Sequence, residues 1–385
     1  MTLRDIESWQ ALPIEASVER VRTGAPDAKS RSRWVPDASL TPADLYCYLR
    51  ARFGKPNGFV MLAVPPSSDN VIHWHYTVVS DDERLELQGI SARIQFMAST
   101  NEPLSDKDWR ELVHRLKADF SRYGTGMKEV RKSLERWTVF VNPYYRLERI
   151  VAEFHARLED LDIESQKLPD LPRREEEFKK WGELIGDLQQ KYSEAALIGT
   201  ALRMISPVWA ESFVNLIIFL LAKEDVRSNN RLYEDLLRKE IDVRVAALHL
   251  HCEGFLAPLD RSSEAVKDFL AVMNSRNDFL HGNVDPKRLA VDEIFFDGLM
   301  PLFKRQQTFA ERGLVPQLKY VEPEAAKQDI YRVEAFIAYV LDLLEPPVRK
   351  QVTVFMENQL PGWRQDTGRP GILFSAAVVD LIMPE

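Results

Sequence analysis

Residues 262–283, SSEAVKDFLAVMNSRNDFLHGN, predict one amphipathic helix around which the rest of the chain can be arranged. Ser262 or Ser263 can cap its N-terminus, and Glu264 favours the first turn. Gly282 is a typical stop just past the last turn. One face of the helix is predicted to be buried, because apolar residues recur at helical spacing: Val266, Phe269, Leu270 and Met273.

The end of this apolar stripe is polar. Its next positions are Arg276, Asn277, Leu280 and His281, and three of these four side chains are polar. An apolar core does not accept an unpaired arginine. We therefore expect this end of the helix to face another chain, a ligand or a solvated cleft.

Helical geometry limits how these polar residues can meet. Asn277 and His281 are one turn apart and share a face. Arg276 and His281 are five residues apart, so on a continuous helix they diverge by about 140°. They converge only if the helix loosens near Leu280, or if they come from different subunits.

The segment Arg276-Asn277-x-x-x-His281 resembles the Arg-polar-x-x-x-His signature of the HEPN superfamily, many of whose members are metal-independent ribonucleases. The resemblance implies that two copies of the motif pair across a dimer cleft. Other arginine–histidine pairs in this chain have a similar spacing but an apolar residue after the arginine: Arg244 with His249 or His251, and Arg149 with His155.

A second segment strengthens the resemblance. Glu211 and Asn215 are similar to the acid-plus-asparagine pattern on the buried helix upstream of the catalytic pair in many members. Their spacing places them on one helix face. A carboxylate and an amide on so apolar a helix need partners, and Arg276 is the predicted bidentate partner of Glu211. The resemblance covers residues 173–286, about a third of the chain.

Composition sets the broad class. The chain has 385 residues, 45% hydrophobic and 29% charged, with a net charge of −8. It has no global basic footprint, so contact with RNA requires a local patch. The two cysteines predict neither a disulfide framework nor a zinc site, and no metal or other cofactor is expected. The N-terminus lacks an apolar signal-peptide core, and the apolar run 214–222 is too short to span a bilayer, so a cytoplasmic protein is expected.

Patterning along the chain predicts an α+β N-terminal domain followed by an all-α HEPN-like helical bundle. Strand-like runs at 59–64, 71–79 and 84–97 place a mostly antiparallel α+β domain at residues 1–142. The HEPN-like helical domain is predicted at residues 143–301, with a helix break at Ser206-Pro207 and a helix at 294–303. Residues 302–385 are predicted to be a C-terminal helical extension that packs on the helical domain.

The leading functional hypothesis is a homodimeric, metal-independent endoribonuclease. His281 would be the general acid or base, Arg276 would stabilise the transition state, and Asn277 would position the phosphate or the histidine, with Glu211 and Asn215 in support. The resemblance implies 2′,3′-cyclic phosphate products and a toxin or anti-phage role, in which the N-terminal domain binds a trigger protein or ligand or recruits RNA.

Two alternatives have different consequences. The first is a non-catalytic HEPN dimer that serves as a nucleotide-binding or protein-interaction scaffold. The second is a plain helical interaction protein, in which Arg276 and His281 favour the dipole at a helix C-terminus and Gly282 only ends the turn. A monomer with Arg276 satisfied inside its own chain would favour the second.

Overall fold

The computed structural model describes residues 3–23, 30–91, 93–282, 286–287, 289–319 and 321–374. The chain divides into two compact units, Met1–Phe140 with Leu360–Glu385, and Val141–Gln359. The first unit is built on antiparallel sheet and the second is mostly helical. The prediction of a mixed N-terminal region followed by a mostly helical part is therefore confirmed.

The first unit is organised by a five-stranded antiparallel sheet with the order β1-β3-β4-β5-β2. Helices α2 and α4 pack on the sheet, where Trp34 and Trp109 stack at 5.7 Å between ring centroids. A 3-10 helix at Ile6–Ser8 precedes the regular elements, which are β1 (Gln10–Ala11), α1 (Ile14–Thr23), β2 (Ser30–Trp34), α2 (Pro42–Phe53), α3 (Val60–Ala63), β3 (Ile72–Ser80), β4 (Glu83–Ile90), β5 (Arg93–Thr100), α4 (Asp106–Asp119), α5 (Gly124–Ser133) and β6 (Trp137–Val139).

Two of the three predicted strand regions need correction. The run 59–64 forms the short helix α3, and Phe59 and Leu62 are exposed. A continuous apolar run marks a central strand only where both faces are buried, and here they are not. The run 84–97, where the sequence predicts a strand that Gly89 can interrupt, is the hairpin β4–β5, which turns after Ile90.

The second unit is a helical assembly around one very long helix, α7, which packs against α6, α10, α11, α12 and α13. Phe269 of α11 stacks on Phe336 of α13 at 4.0 Å between ring centroids, so the motif helix is fixed from two sides. The elements are α6 (Pro143–Asp160), α7 (Phe178–Leu221), α8 (Glu224–Arg227), α9 (Asn230–Arg238), α10 (Ile241–His251), α11 (Glu264–Leu280), β7 (Ile294–Asp297), β8 (Met300–Phe303), α12 (Phe309–Lys319), α13 (Pro323–Asp342) and α14 (Pro346–Met356), with 3-10 turns at Ile163–Ser165 and Glu175–Glu177.

The predicted helix break at Ser206-Pro207 is wrong, because α7 continues through Pro207. An interior proline costs a helix about 3 kcal/mol, since it lacks an N–H and its ring meets the preceding turn. Burial of apolar side chains offsets this cost: Leu202, Ala210 and Phe213 are fully buried on both sides of the proline.

By length and composition, one helix among the described residues could cross a membrane, the segment Glu175–Leu221 that contains α7. Half of its most apolar stretch is buried by other parts of the chain. The buried core helix of a soluble protein meets the same criterion, so this feature is weak evidence for a membrane span.

The predicted C-terminal extension divides between the two units. Residues 302–359 lie in the helical unit, whereas the following segment forms β9 (Gly362–Arg364) and β10 (Arg369–Gly371) in the first unit. β9 pairs antiparallel with β6, and β10 pairs with β9. Likewise, the helix predicted at 294–303 is the hairpin β7–β8, which turns at Gly298 with a φ of +61°.

Limited trypsin digestion is expected to cut first at Lys167, Arg173 or Arg174. These exposed residues flank a stretch with no regular structure between the two 3-10 turns of the second unit. Cutting near residue 142 is not expected, because Asn142 is buried and its side chain donates to Phe355 O at 2.7 Å and to Asn358 O at 3.0 Å. N-terminal sequencing of the first fragments checks this, and an initial cut after Arg136 would contradict it.

Candidate active site

The centre of the candidate site is Arg244 on α10, a residue that the sequence pattern did not select. Arg244 is 5% exposed. It donates from Nη2 to Oε1 of Glu211 and from Nη1 to Oδ1 of Asn215, the latter at 2.7 Å. Glu211 and Asn215 lie one turn apart on α7, as their spacing predicts. The two polar groups on this apolar helix are thus satisfied by one buried guanidinium.

Arg276 approaches the same carboxylate from α11. Its Nη1 lies 3.6 Å from Oε2 of Glu211, and its Nη2 donates to Oδ1 of Asn277 at 3.4 Å. The predicted bidentate pairing of Arg276 with Glu211 is therefore not observed, since one nitrogen makes a long ionic contact and Arg244 makes the shorter one. Glu211 bridges two arginines, so this cluster carries an excess of one positive charge.

A surface cavity of about 400 Å³ opens beside this cluster. Among the described residues that line it, four are basic and three are acidic. The basic ones are Arg238, Lys239, Arg244 and Arg276, and the amides of Asn274 and Asn277 also line it. Two of the acids, Glu240 and Asp242, lie at the start of α10, whereas Glu211 lies on α7. The cavity can supply several hydrogen-bond donors to one anionic group.

Two guanidinium nitrogens at the cavity lack partners among the described residues. Nε of Arg244 and Nε of Arg276 are buried and have no hydrogen-bond acceptor there. A buried unsatisfied donor costs about 1–3 kcal/mol. Both residues line the cavity, and a guanidinium is the group that binds anions such as phosphate through paired donors.

His281 lies at the end of α11 and is exposed. Its backbone N–H donates to Asn277 O at 3.0 Å, the regular bond of an α-helix. The helix therefore does not loosen near Leu280, and Arg276 and His281 point in different directions. Within one chain His281 is not among the residues that line the cavity. One chain brings Glu211, Asn215, Arg276 and Asn277 together, but not His281.

A partly buried arginine, also missed by the sequence analysis, fixes the motif helix. Arg203 on α7 donates from Nη2 to Oγ of Ser275 at 2.6 Å, and its Nε lies 3.2 Å from Oδ2 of Asp329 on α13. Burial raises the pKa of Asp329, and Arg203 and Arg332 oppose that rise. Arg203 on α7 thus links Ser275, the residue just before Arg276, to Asp329 on α13. A charged residue in an otherwise Ala-rich helical segment was the available signal.

In comparisons with known proteins, no family model, no curated protein and no solved structure matches this chain. Within the described residues, no group of three or more histidine, cysteine or acidic side chains is placed to hold a metal ion. The geometry of the arginine–carboxylate cluster and its cavity is therefore the basis for inferring a function.

Proposed function

We propose that this chain is a homodimeric, metal-independent endoribonuclease of the HEPN type, with a HEPN-like fold in its helical unit. The observation that supports the proposal most directly is the position of Arg276. This residue contacts Glu211 and Asn277 at the edge of a cavity that arginine and amide groups line, five residues before a histidine at the end of the same helix. A plain helix C-terminus does not require a carboxylate on a neighbouring buried helix.

The chemistry assigns one task to each residue. His281 takes the proton of an RNA 2′-hydroxyl, whose oxygen attacks the adjacent phosphorus, and a histidine then protonates the leaving 5′-oxygen. Histidine suits both steps because it exchanges protons near neutral pH. Arg276 donates to the phosphoryl oxygens as charge develops on them, and Asn277 positions the phosphate. The products are a 2′,3′-cyclic phosphate and a 5′-hydroxyl.

A second copy of the chain completes this site. Since α11 is regular to its end, Arg276 is not placed to contact the phosphate next to a 2′-hydroxyl that His281 of the same helix deprotonates. In a two-fold dimer, His281 of one copy can lie opposite Arg276 of the other, and the arrangement then occurs twice. The dimer forms through the helical unit. Glu211 and Asn215, both partly buried on α7, orient the arginines.

We also propose a role for this enzyme in the cell. Such an enzyme acts in the cytoplasm on cellular RNA, as a toxin or anti-phage effector. The first unit, an antiparallel sheet with α2 and α4, then binds the trigger protein or ligand or recruits the RNA. Growth arrest of the host on expression, relieved by His281→Ala, tests this role.

A non-catalytic nucleotide-binding dimer is the second candidate. One observation favours it: in a single chain the cavity offers arginine and amide donors, whereas the exposed His281 lies outside it. Such a cavity binds a phosphate without acting on it. Nucleotide binding by calorimetry, together with no cleavage of any RNA by the dimer, would favour this candidate.

Cleavage is expected to continue in millimolar EDTA, because the proposed chemistry uses only imidazole, guanidinium and amide groups. The measurement is digestion of a labelled RNA pool with and without chelator, with the 3′ ends of the products identified by their resistance to phosphatase. Loss of cleavage in EDTA, restored by Mg²⁺ or Mn²⁺, would replace the proposed mechanism with a metal-assisted one.

A further inference from the structure

The hairpin β7–β8 exposes apolar side chains on both of its faces. Ile294 pairs with Phe303 and Phe296 with Pro301 on one face, and Phe295 pairs with Leu302 on the other. Each of its seven large hydrophobic residues is at least 40% exposed, and Leu299 at the tip is 97% exposed. The seven are Ile294, Phe295, Phe296, Leu299, Met300, Leu302 and Phe303.

An exposed surface of this kind is costly in water. At roughly 200 Å² for a fully exposed large side chain, these exposures amount to on the order of 800 Å². The largest apolar patch on a typical monomer is about 300–600 Å². Among the described residues the sheet has two strands, so each strand has an unpaired edge there, and an isolated hairpin is only marginally stable. The hairpin therefore requires a cover.

We propose that this hairpin is the docking arm of the homodimer and that a second copy of the chain covers it. The area fits, because a stable protein interface buries about 800 Å² on each partner. The hairpin belongs to the helical unit and follows the motif helix α11 in sequence. Two apolar faces suit an arm enclosed by a partner better than one laid on a flat surface.

The charges around the hairpin favour a protein partner over a lipid surface. Both signs occur at its base, where Lys304 pairs with Glu293 and Nε of Arg305 lies 3.7 Å from Oδ1 of Asp292. A segment that binds anionic lipid has a mainly basic polar face. Asp297 lies in β7 itself, close to the exposed tip. Mixed, paired charges around an apolar centre are typical of a protein interface.

The test is the mass of the full-length protein in solution, measured by light scattering over a wide concentration range. The wild type is expected at twice the 44.4 kDa of one chain. Phe296→Glu with Leu299→Glu is expected to raise the dimer dissociation constant at least ~100-fold, since both are large apolar anchors. Phe295→Ser with Met300→Ser tests the other face. Leu197→Glu is the control for an acidic substitution at an exposed apolar residue outside the hairpin, because Leu197 on α7 is 70% exposed.

The outcomes separate this inference from the proposed enzyme, although both include a homodimer. A dimer that persists in both hairpin variants, with unchanged circular dichroism, overturns the docking arm and leaves the enzyme untouched. A hairpin variant that is monomeric and still cleaves RNA supports the arm and overturns the two-copy site. A monomeric wild type overturns both; co-sedimentation of that monomer with phosphatidylserine vesicles, lost in the hairpin variants, would identify a lipid surface as the cover.

Discussion

Replacing His281 with alanine is expected to lower RNA cleavage by roughly 10²–10⁴-fold, because the proton transfers in the proposed reaction then lack their catalyst. Arg276→Ala is expected to cost a comparable 10²–10³-fold by removing a donor to the developing phosphoryl charge. The measurement is the initial rate on one labelled RNA at saturating substrate, alongside the mass of each variant. Both variants should remain dimeric, since His281 is exposed and Arg276 lies at the edge of the cavity.

Matched controls separate the proposed site from the other arginine–histidine pairs. His155→Ala and His249→Ala should leave the rate within a few-fold of the wild type, because His155 lies on α6 and His249 on α10, and neither follows Arg276 at the end of α11. Arg276→Lys should cleave RNA little faster than Arg276→Ala, since an ammonium group keeps the charge but not the planar pair of donors. If His281→Ala stays active while His155 or His249 is essential, the site assignment is wrong.

Mixing the two inactive variants tests whether the site is built from two copies. In a mixed dimer, one site combines both substitutions and the other combines the intact Arg276 and His281. Random mixing therefore restores about a quarter of the wild-type rate if each site draws on both chains of a symmetric dimer. A site contained in one chain gives no recovery. Co-expression with two different affinity tags isolates the mixed dimer directly.

Much of the motif region could be predicted from local patterns. The stripe of α11, its serine cap and the shared face of Glu211 and Asn215 follow from helical periodicity, which depends only on the sequence nearby. The proximity of Arg276 to Glu211 could also be anticipated, because a buried carboxylate requires a cation. These predictions needed no knowledge of which helices are neighbours.

The role of Arg244 could not be predicted in this way. Its neighbour Val245 is apolar, so its local pattern predicts an ordinary helix interior, although α10 ends at His251. What makes it central is the packing of α10 on α7, which brings a guanidinium to 2.7 Å from Asn215. Pro207 shows the same effect, because burial of the surrounding helix outweighs a local preference to end it.

The hairpin β7–β8 was missed for a different reason. Its sequence, IFFDGLMPLF, lacks the alternation of apolar and polar residues that marks a half-buried strand. Both faces are apolar, and in one chain both are exposed. A pattern of this type is ambiguous between a buried helix and a buried strand until the partner is known. The apolar side chains on both faces of the hairpin thus explain both the wrong helix prediction at 294–303 and the need for a covering partner.

Glu211→Ala is expected to destabilise the helical unit by about 3 kcal/mol, because it leaves the buried Arg244 without a carboxylate. Partial exposure of Glu211 lowers this value from the upper end of the range for buried ion pairs. The readout is hydrogen exchange by mass spectrometry in peptides from α7 and α10, where ~100-fold faster exchange corresponds to that loss. Arg238→Ala is the control: Arg238 lines the same cavity, but its pair with Glu234 is exposed, so exchange should barely change.

A double substitution separates the structural role of Glu211 from its role in the site. Arg244→Met removes the buried charge, so Glu211→Ala combined with Arg244→Met should recover most of the lost protection, as apolar replacements of buried ion pairs often do. Cleavage should not recover, because Arg276 still lacks the carboxylate 3.6 Å away and the cavity has also lost the Arg244 guanidinium. If the double variant regains both protection and cleavage, Glu211 only neutralises Arg244. If Glu211→Ala alone matches the Arg238 control, the buried pair does not stabilise the helical unit.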